Sequence, residues 1–312
     1  ASIRAMAAGY KALTVCSALK NAEAAGGSRT LASVEANELV GFYSELDALV
    51  REMPVEVGDD TVTVFWDEGM APRVAIYGPR NGCAIMPVGW VGDAPAVRWD
   101  RGSEDVPVVP TGNPDGDAAL LNEAVEGAFF GRYGDGANTT AVLVLQDDRI
   151  IAENYAEGFG VNTPQRTWSV GKSLAGTIVG AAVLRGDADV EAPAAIIDWE
   201  RDGDPRAAIT LDQLLRMASG LTSDTAGTRT DALYFGGVGV DEQATIWPLI
   251  ARPGARYRYA NNDILLAALS IAPTFEDHPP AELFRRLGMN DTWAETDWRG
   301  NYMLSRQVWS TA

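Results

Sequence analysis

The chain has 312 residues, 46% of them hydrophobic, enough for one large domain or a domain with an appendage. Its 25 basic and 43 acidic residues leave a net charge of −18, which argues against nucleic acid or an anionic membrane surface as partner, and no apolar run reaches the about 18 residues of a spanning helix. One histidine and two cysteines exclude a Cys- or His-rich metal centre, and no cofactor is expected.

The sequence starts at Ala1 without a methionine, as a processed export product would, so a periplasmic or secreted location is expected. Cys16 and Cys83 can pair in such a compartment or stay as two buried thiols, and both alternatives stand at this point. Ser17-Ala18-Leu19-Lys20 is a Ser-x-x-Lys pattern, but Lys20 leads into a polar, Gly-rich stretch and no strand precedes it, so it reads as structural. Residues 35–53 show helical periodicity through Leu39, Val40, Leu46, Leu49 and Val50, and the runs 61–66 and 73–77 read as strands. Residues 106–117, rich in Pro, Gly and Asp, read as a linker. It divides the chain into an N-terminal extension, 1–112, and a second unit, 113–312.

Beyond it, 117–130 reads as an amphipathic helix, and 139–145 with 150–155 as a hairpin around Gln146-Asp147-Asp148-Arg149. Helices are expected from Ser169 onward, over 210–217 with Thr210 as cap, and over 262–270. A hairpin followed by helices is an α+β pattern rather than a βαβ one.

Ser169 and Lys172 stand three apart, and Lys172 is one of only three lysines in the chain. On the first turn of a helix that spacing puts both side chains on one face. The apolar run from Leu174 to Leu184 is expected to bury the helix and strip water from the ammonium, lowering its pKa until it can serve as a base. A serine so activated needs no histidine. The single His278, in Glu276-Asp277-His278-Pro279-Pro280, reads as an exposed turn residue. Gly171-Lys172-Ser173 also ends a phosphate-loop pattern, but that loop needs glycine where this chain has Arg166. Tyr259-Ala260-Asn261 is the only Tyr-x-Asn; a tyrosine beside a lysine can relay a proton, and Asn261 can both donate to and accept from a substrate amide.

Together, Ser169-Val170-Gly171-Lys172-Ser173, the block from Ile209 through Met217-Ala218-Ser219-Gly220-Leu221, Pro253-Gly254 leading to Tyr259-Ala260-Asn261, and Leu287-Gly288-Met289-Asn290-Asp291-Thr292 resemble the serine β-lactamase and penicillin-binding-protein superfamily. The likeness is to its class C β-lactamase-like branch, with the esterases and 6-aminohexanoate-dimer hydrolases, and covers roughly residues 136–312. It implies an α+β fold with an antiparallel sheet and a helical region, incomplete here, preceded by the extension. It also implies acyl transfer to water, with Ser169 as nucleophile, Lys172 as base, Tyr259 as proton relay, Asn261 on the substrate and the Ser169 N–H as half of an oxyanion hole. Small molecules or short peptides would be the substrates, with much of the pocket coming from the loop 222–247. A slowly acylating or non-catalytic penicillin-binding or sensing module is the alternative.

The family's third motif, Lys-Thr-Gly or His-x-Gly, has no match after Asn261, and a lone hairpin would leave open edges. A companion C-terminal polypeptide completing the domain is therefore expected. Relatives often carry threonine where this chain has Gly171. The extension resembles one found before the hydrolase domain in bacterial relatives, either lining the cleft or only packing.

Overall fold

The computed structural model describes residues 2–41, 44–92, 109–223 and 231–312. Helix α1 (Ser2–Ala24) is the centre of the N-terminal part. It is buried on nearly all sides, polar Lys11, Ser17 and Asn21 as well as Ala7, Leu13 and Val15, so no apolar stripe marks it in the sequence. Its buried Lys11 ammonium is paired with Glu35 at 2.9 Å. At Gly9 the helix runs against the end of α7 (Asp231–Tyr234), and a Cβ there would stand 2.0 Å from the Phe235 carbonyl oxygen.

The helix expected over 35–53 is instead two, α2 (Leu31–Asn37) and α3 (Ser44–Glu52). Gly41, at φ +69°, interrupts the run, and the Asp47 carboxylate accepts its N–H at 2.9 Å. Strands β1 (Val55–Val57), β2 (Thr61–Val64), β3 (Arg73–Gly78) and β4 (Gly82–Ile85) form an antiparallel sheet in that order. α1 lies against this sheet, and a Cys16–Cys83 disulfide ties the helix to β4.

In the second part, α4 (Ala118–Phe129) is capped by the Asp117 carboxylate, which accepts from Ala119 and Leu120. The hairpin pairs β5 (Ala141–Gln146) with β6 (Arg149–Tyr155). Asp147 and Asp148 close it at φ 50° and 58°, the positive pair that a two-residue turn of matching twist requires. Of the expected linker, 106–108 lie outside the described residues. The next stretch is not free: Thr111 bridges Ile150 in parallel, and Gly112 N–H donates to the Ile150 carbonyl at 3.0 Å.

A third antiparallel sheet sets β9 (Val308–Ser310) between β7 (Gln165–Arg166) and β8 (Thr292–Ala294). Around it lie α5 (Gly171–Arg185), α6 (Leu211–Leu215), α9 (Asn261–Ser270) and α10 (Pro280–Arg286). Thr210 and Gln213 cap α6 reciprocally. Part of the expected loop 222–247 is helical: it holds α7 and α8 (Val240–Gln243), with Leu233, Tyr234 and Phe235 buried, while 224–230 lie outside the described residues. One hydrophobic cluster contains α1 and β2 residues (Leu13, Val64) and Leu265, Phe284 and Trp309 alike, so the parts before and after residue 112 share a core. Helix α5 departs from expectation. Ala175, Ile178, Val179 and Ala182 are buried, but Leu184 is 89% exposed, so only one face of the apolar run is covered among the described residues.

Glu295 joins the two parts. Fully buried, it accepts from the Cys83 N–H at 3.2 Å and from Gln307 Nε2 at 3.0 Å, and contacts Ser17 Oγ at 2.5 Å. Ser17 has one hydroxyl proton and a second acceptor, the Leu13 carbonyl at 2.9 Å. A proton on Glu295 removes that conflict, and burial pushes its pKa from 4.5 to about 7. The sign follows by linkage. The stabilisation from protonated Glu295 is full below pH 4.5, its unfolded value, and is lost as pH rises through about 7. That window is worth about 3 kcal/mol. Urea unfolding at pH 5 and pH 8 should show this loss in the wild type and not in Glu295→Gln; equal pH dependence in both would refute it.

Candidate active site

Strand β7 delivers the chain to the site. It pairs with β9 through Gln165–Ser310 and Arg166–Trp309, and Thr167 extends the grip by donating its N–H and hydroxyl to the Val308 carbonyl at 2.9 and 3.1 Å. Trp168 then turns into the left-handed region at φ +51°, a conformation that disfavours a bulky residue. Ser169 follows in a short 3-10 turn that runs directly into α5, where Lys172 lies one turn further on.

The expected pair meets. Lys172 Nζ lies 3.0 Å from Ser169 Oγ and donates to the Ser305 carbonyl at 2.8 Å. Tyr259 reaches the same hydroxyl, its OH 2.7 Å from Ser169 Oγ, and the Lys172 ammonium nitrogen stands 4.8 Å from the Tyr259 ring centre. Ser169 is exposed while the lysine and tyrosine are half-buried, so the hydroxyl faces open space with its two partners behind it. Gly171 sits where the helix start presses on the 304–305 backbone; a Cβ there would stand 2.6 Å from the Leu304 carbonyl oxygen. No side chain fits there without displacing the segment that holds Lys172.

Tyr259 is aimed by its own strand-like lead-in. Arg258 N–H donates to the Met217 carbonyl at 3.0 Å, Ala260 N–H points at Met217 Sδ at 3.3 Å, and Met217 ends the α6 segment at φ +54°. Beside it opens a groove of about 540 Å3 lined by Leu215, Met217, Arg256, Tyr257 and Tyr259. Asn261 opens α9 two residues on. Its side chain is buried, its Oδ1 has no hydrogen-bond partner, and no hydrogen bond joins it to Ser169, Lys172 or Tyr259.

The surroundings shift both partners of Ser169 downward. Burial lowers the Lys172 pKa, contact with Tyr259 pulls it back up, and the Arg306 charge pushes it down again. For Tyr259 burial acts upward, but the bonds to Lys172 and Ser169 and the charges of Lys172 and Arg306 outweigh it, so the phenol is more acidic than an ordinary tyrosine. Ser17 and Lys20, by contrast, turn to other partners: Ser17 to Leu13 and Glu295, Lys20 to Glu23 at 3.7 Å. His278 lies exposed before α10. Among the described residues no three His, Cys, Asp or Glu side chains cluster as a metal site, and no helix is long and apolar enough to cross a membrane.

Sequence reasoning missed the segment 304–307, whose Ser305 carbonyl holds Lys172, and missed Arg166 and Arg306, which flank Trp168. Neither carries a motif; they come near Ser169 only because β9 returns beside β7.

A family model described as Beta-lactamase matches residues 127–300, more than half of the chain. Among solved structures, a Bacillus anthracis protein assigned as a 6-aminohexanoate-dimer hydrolase superposes with a TM-score of 0.51 at 18% identity, over 66% of this chain and 60% of its own. A Bacteroides dorei DSM 17855 protein assigned as a beta-lactamase gives 0.46 at 22% identity, over 62% and 60%. The chain thus spans about 60% of the length of these solved relatives. No curated protein matches it.

Proposed function

Because the chain belongs to the beta-lactamase family, we propose that it is a serine hydrolase that cleaves amide or ester bonds of small molecules or short peptides through an acyl-enzyme on Ser169. One observation carries this: Lys172 Nζ and the Tyr259 hydroxyl converge on Ser169 Oγ at 3.0 and 2.7 Å. In the reactive state neutral Lys172 takes the Ser169 proton as Oγ attacks the carbonyl carbon. The Ser169 N–H, at the start of α5, stabilises the developing oxyanion. Collapse expels the amine or alcohol, which receives the proton through Tyr259. Water then attacks the ester, the same pair accepts its proton, and Ser169 is restored. Asn261 is the candidate substrate contact; its partnerless Oδ1 is available to accept from an amide if the helix start opens toward the groove.

The division at residue 112 is part of this proposal: 113–312 carries the chemistry and 1–112 is the accessory region. So is a companion polypeptide that completes the domain. It is supported, among the described residues, by the two-stranded β5–β6 sheet and by the exposed outer face of α5 around Leu184. A periplasmic or secreted location agrees with a buried disulfide.

A fluorescent fluorophosphonate and a fluorescent β-lactam, followed by peptide mass mapping, test the reading. Label on Ser169, with turnover of p-nitrophenyl esters, nitrocefin or short peptides, is the expected result. Label without turnover would identify a slowly acylating sensing module. No label between about pH 6 and about pH 9 would remove the nucleophile assignment.

A further inference from the structure

Trp168 stands immediately before the nucleophile in a left-handed conformation, φ +51°, and the residue is 36% exposed. A large residue does not hold that backbone unaided. Two guanidinium groups lie over its ring, Arg166 at 4.0 Å and Arg306 at 4.9 Å from the ring centre. Cation–π attraction of this kind strengthens as water is excluded, and Arg306 is buried, with Asp231 at 3.7 Å and the Tyr234 ring at 4.9 Å. Arg166 is fixed in turn: Nη2 donates to Gln307 Oε1, and Gln307 Nε2 donates to buried Glu295 at 3.0 Å.

We propose that Trp168 is a positioning residue: the guanidinium groups of Arg166 and Arg306 clamp its ring, and the clamp keeps the strained peptide that aims Ser169 Oγ at Lys172 and Tyr259. This rests on the assignment of Ser169 as nucleophile. The physical need is plain. If residue 168 relaxed to negative φ, the next residue's hydroxyl would swing away from both partners, and a displacement of about 1 Å at a reacting atom costs on the order of 100-fold. Three consecutive residues supply the restraint: Ser305 through its carbonyl on Lys172, Arg306 on Trp168, and Gln307 on Arg166. Nucleophile, base and strained peptide are thereby held against one stretch of backbone. A ring that only filled the core would be covered, and this one is partly open.

The test compares Trp168→Phe with Trp168→Leu, and Arg306→Lys with Arg306→Met, in the full chain. The readouts are the rate of fluorophosphonate labelling at Ser169, kcat and KM on one ester, and the melting temperature. Trp168→Leu should lose roughly 100-fold in labelling and kcat with KM nearly unchanged, and Trp168→Phe, which keeps a π face, should lose no more than roughly 10-fold. Arg306→Lys should likewise retain most of what Arg306→Met loses. Equal losses in the conservative and non-conservative variants, or no loss in either, would overturn the clamp. Crystal structures of the wild type and Arg306→Met decide it even without turnover: the clamp requires Trp168 to leave positive φ in the variant, and an unmoved Trp168 overturns it. Failure of the wild type to label at Ser169 would instead strike the nucleophile assignment.

Discussion

Replacing Lys172 with alanine should lower turnover by on the order of 10,000-fold, close to the loss in Ser169→Ala, because a nucleophile and its base act as one unit. Among the described residues Tyr259 is the other group that reaches Ser169 Oγ, and a phenol is a weak acceptor until it has lost its own proton. Tyr259→Phe should therefore retain more activity than Lys172→Ala. The pH dependence follows from the same contacts. Burial lowers the Lys172 pKa, which enlarges its neutral fraction at a given pH, but protonation on the acid side still removes the acceptor. Activity should rise with pH as the coupled lysine–tyrosine pair loses its shared proton, and that limb should disappear in Lys172→Ala. Steady-state kinetics of the three variants on an activated ester checks the order; full activity in Lys172→Ala would contradict it.

Loss of the Cys16–Cys83 bond should be the largest single effect on stability. The bond spans a sequence separation of 67 residues, and constraining a loop of that length in the unfolded chain is worth about 4 kcal/mol in the chain-entropy treatment. Both sulfurs are fully buried, so a Cys16→Ala/Cys83→Ala variant also leaves small voids between α1 and β4. Its helix and strand still meet at Glu295, through Ser17 and the Cys83 N–H, so the variant should fold but unfold at clearly lower urea. Equilibrium unfolding with and without a reductant measures it. Unchanged stability of the variant would show that noncovalent packing alone joins the helix to the sheet.

What the sequence disclosed depended on whether a local pattern carried the information. The family resemblance and the α+β class were legible because Ser169-x-x-Lys172 and Tyr259-x-Asn261 keep fixed spacings in the right order. The hairpin was legible because two short β-branched and apolar runs flank the turn aspartates Asp147 and Asp148. Helix α1 was not, since burial on every side erases the stripe that marks an amphipathic helix. The break between α2 and α3 hid in a continuous apolar rhythm that one glycine interrupts. The disulfide pairing stayed open because spacing alone does not determine whether two Cα atoms come to 6.1 Å. At the site the limit was long-range: Ser305, Arg306 and Gln307 lie more than 130 positions from Lys172 and Arg166, and only the β7–β9 pairing brings them together.

The proposed acyl transfer depends on Lys172 acting, uncharged, as acceptor for the Ser169 proton. The most direct measurement is the rate of fluorophosphonate attachment to Ser169 as a function of pH, followed by mass mapping, in the wild type and in Lys172→Ala. The predicted result is a wild-type rate that climbs with pH to a plateau and a variant rate lower by orders of magnitude without that climb. Two superimposable profiles, or label found on a residue other than Ser169, would contradict it.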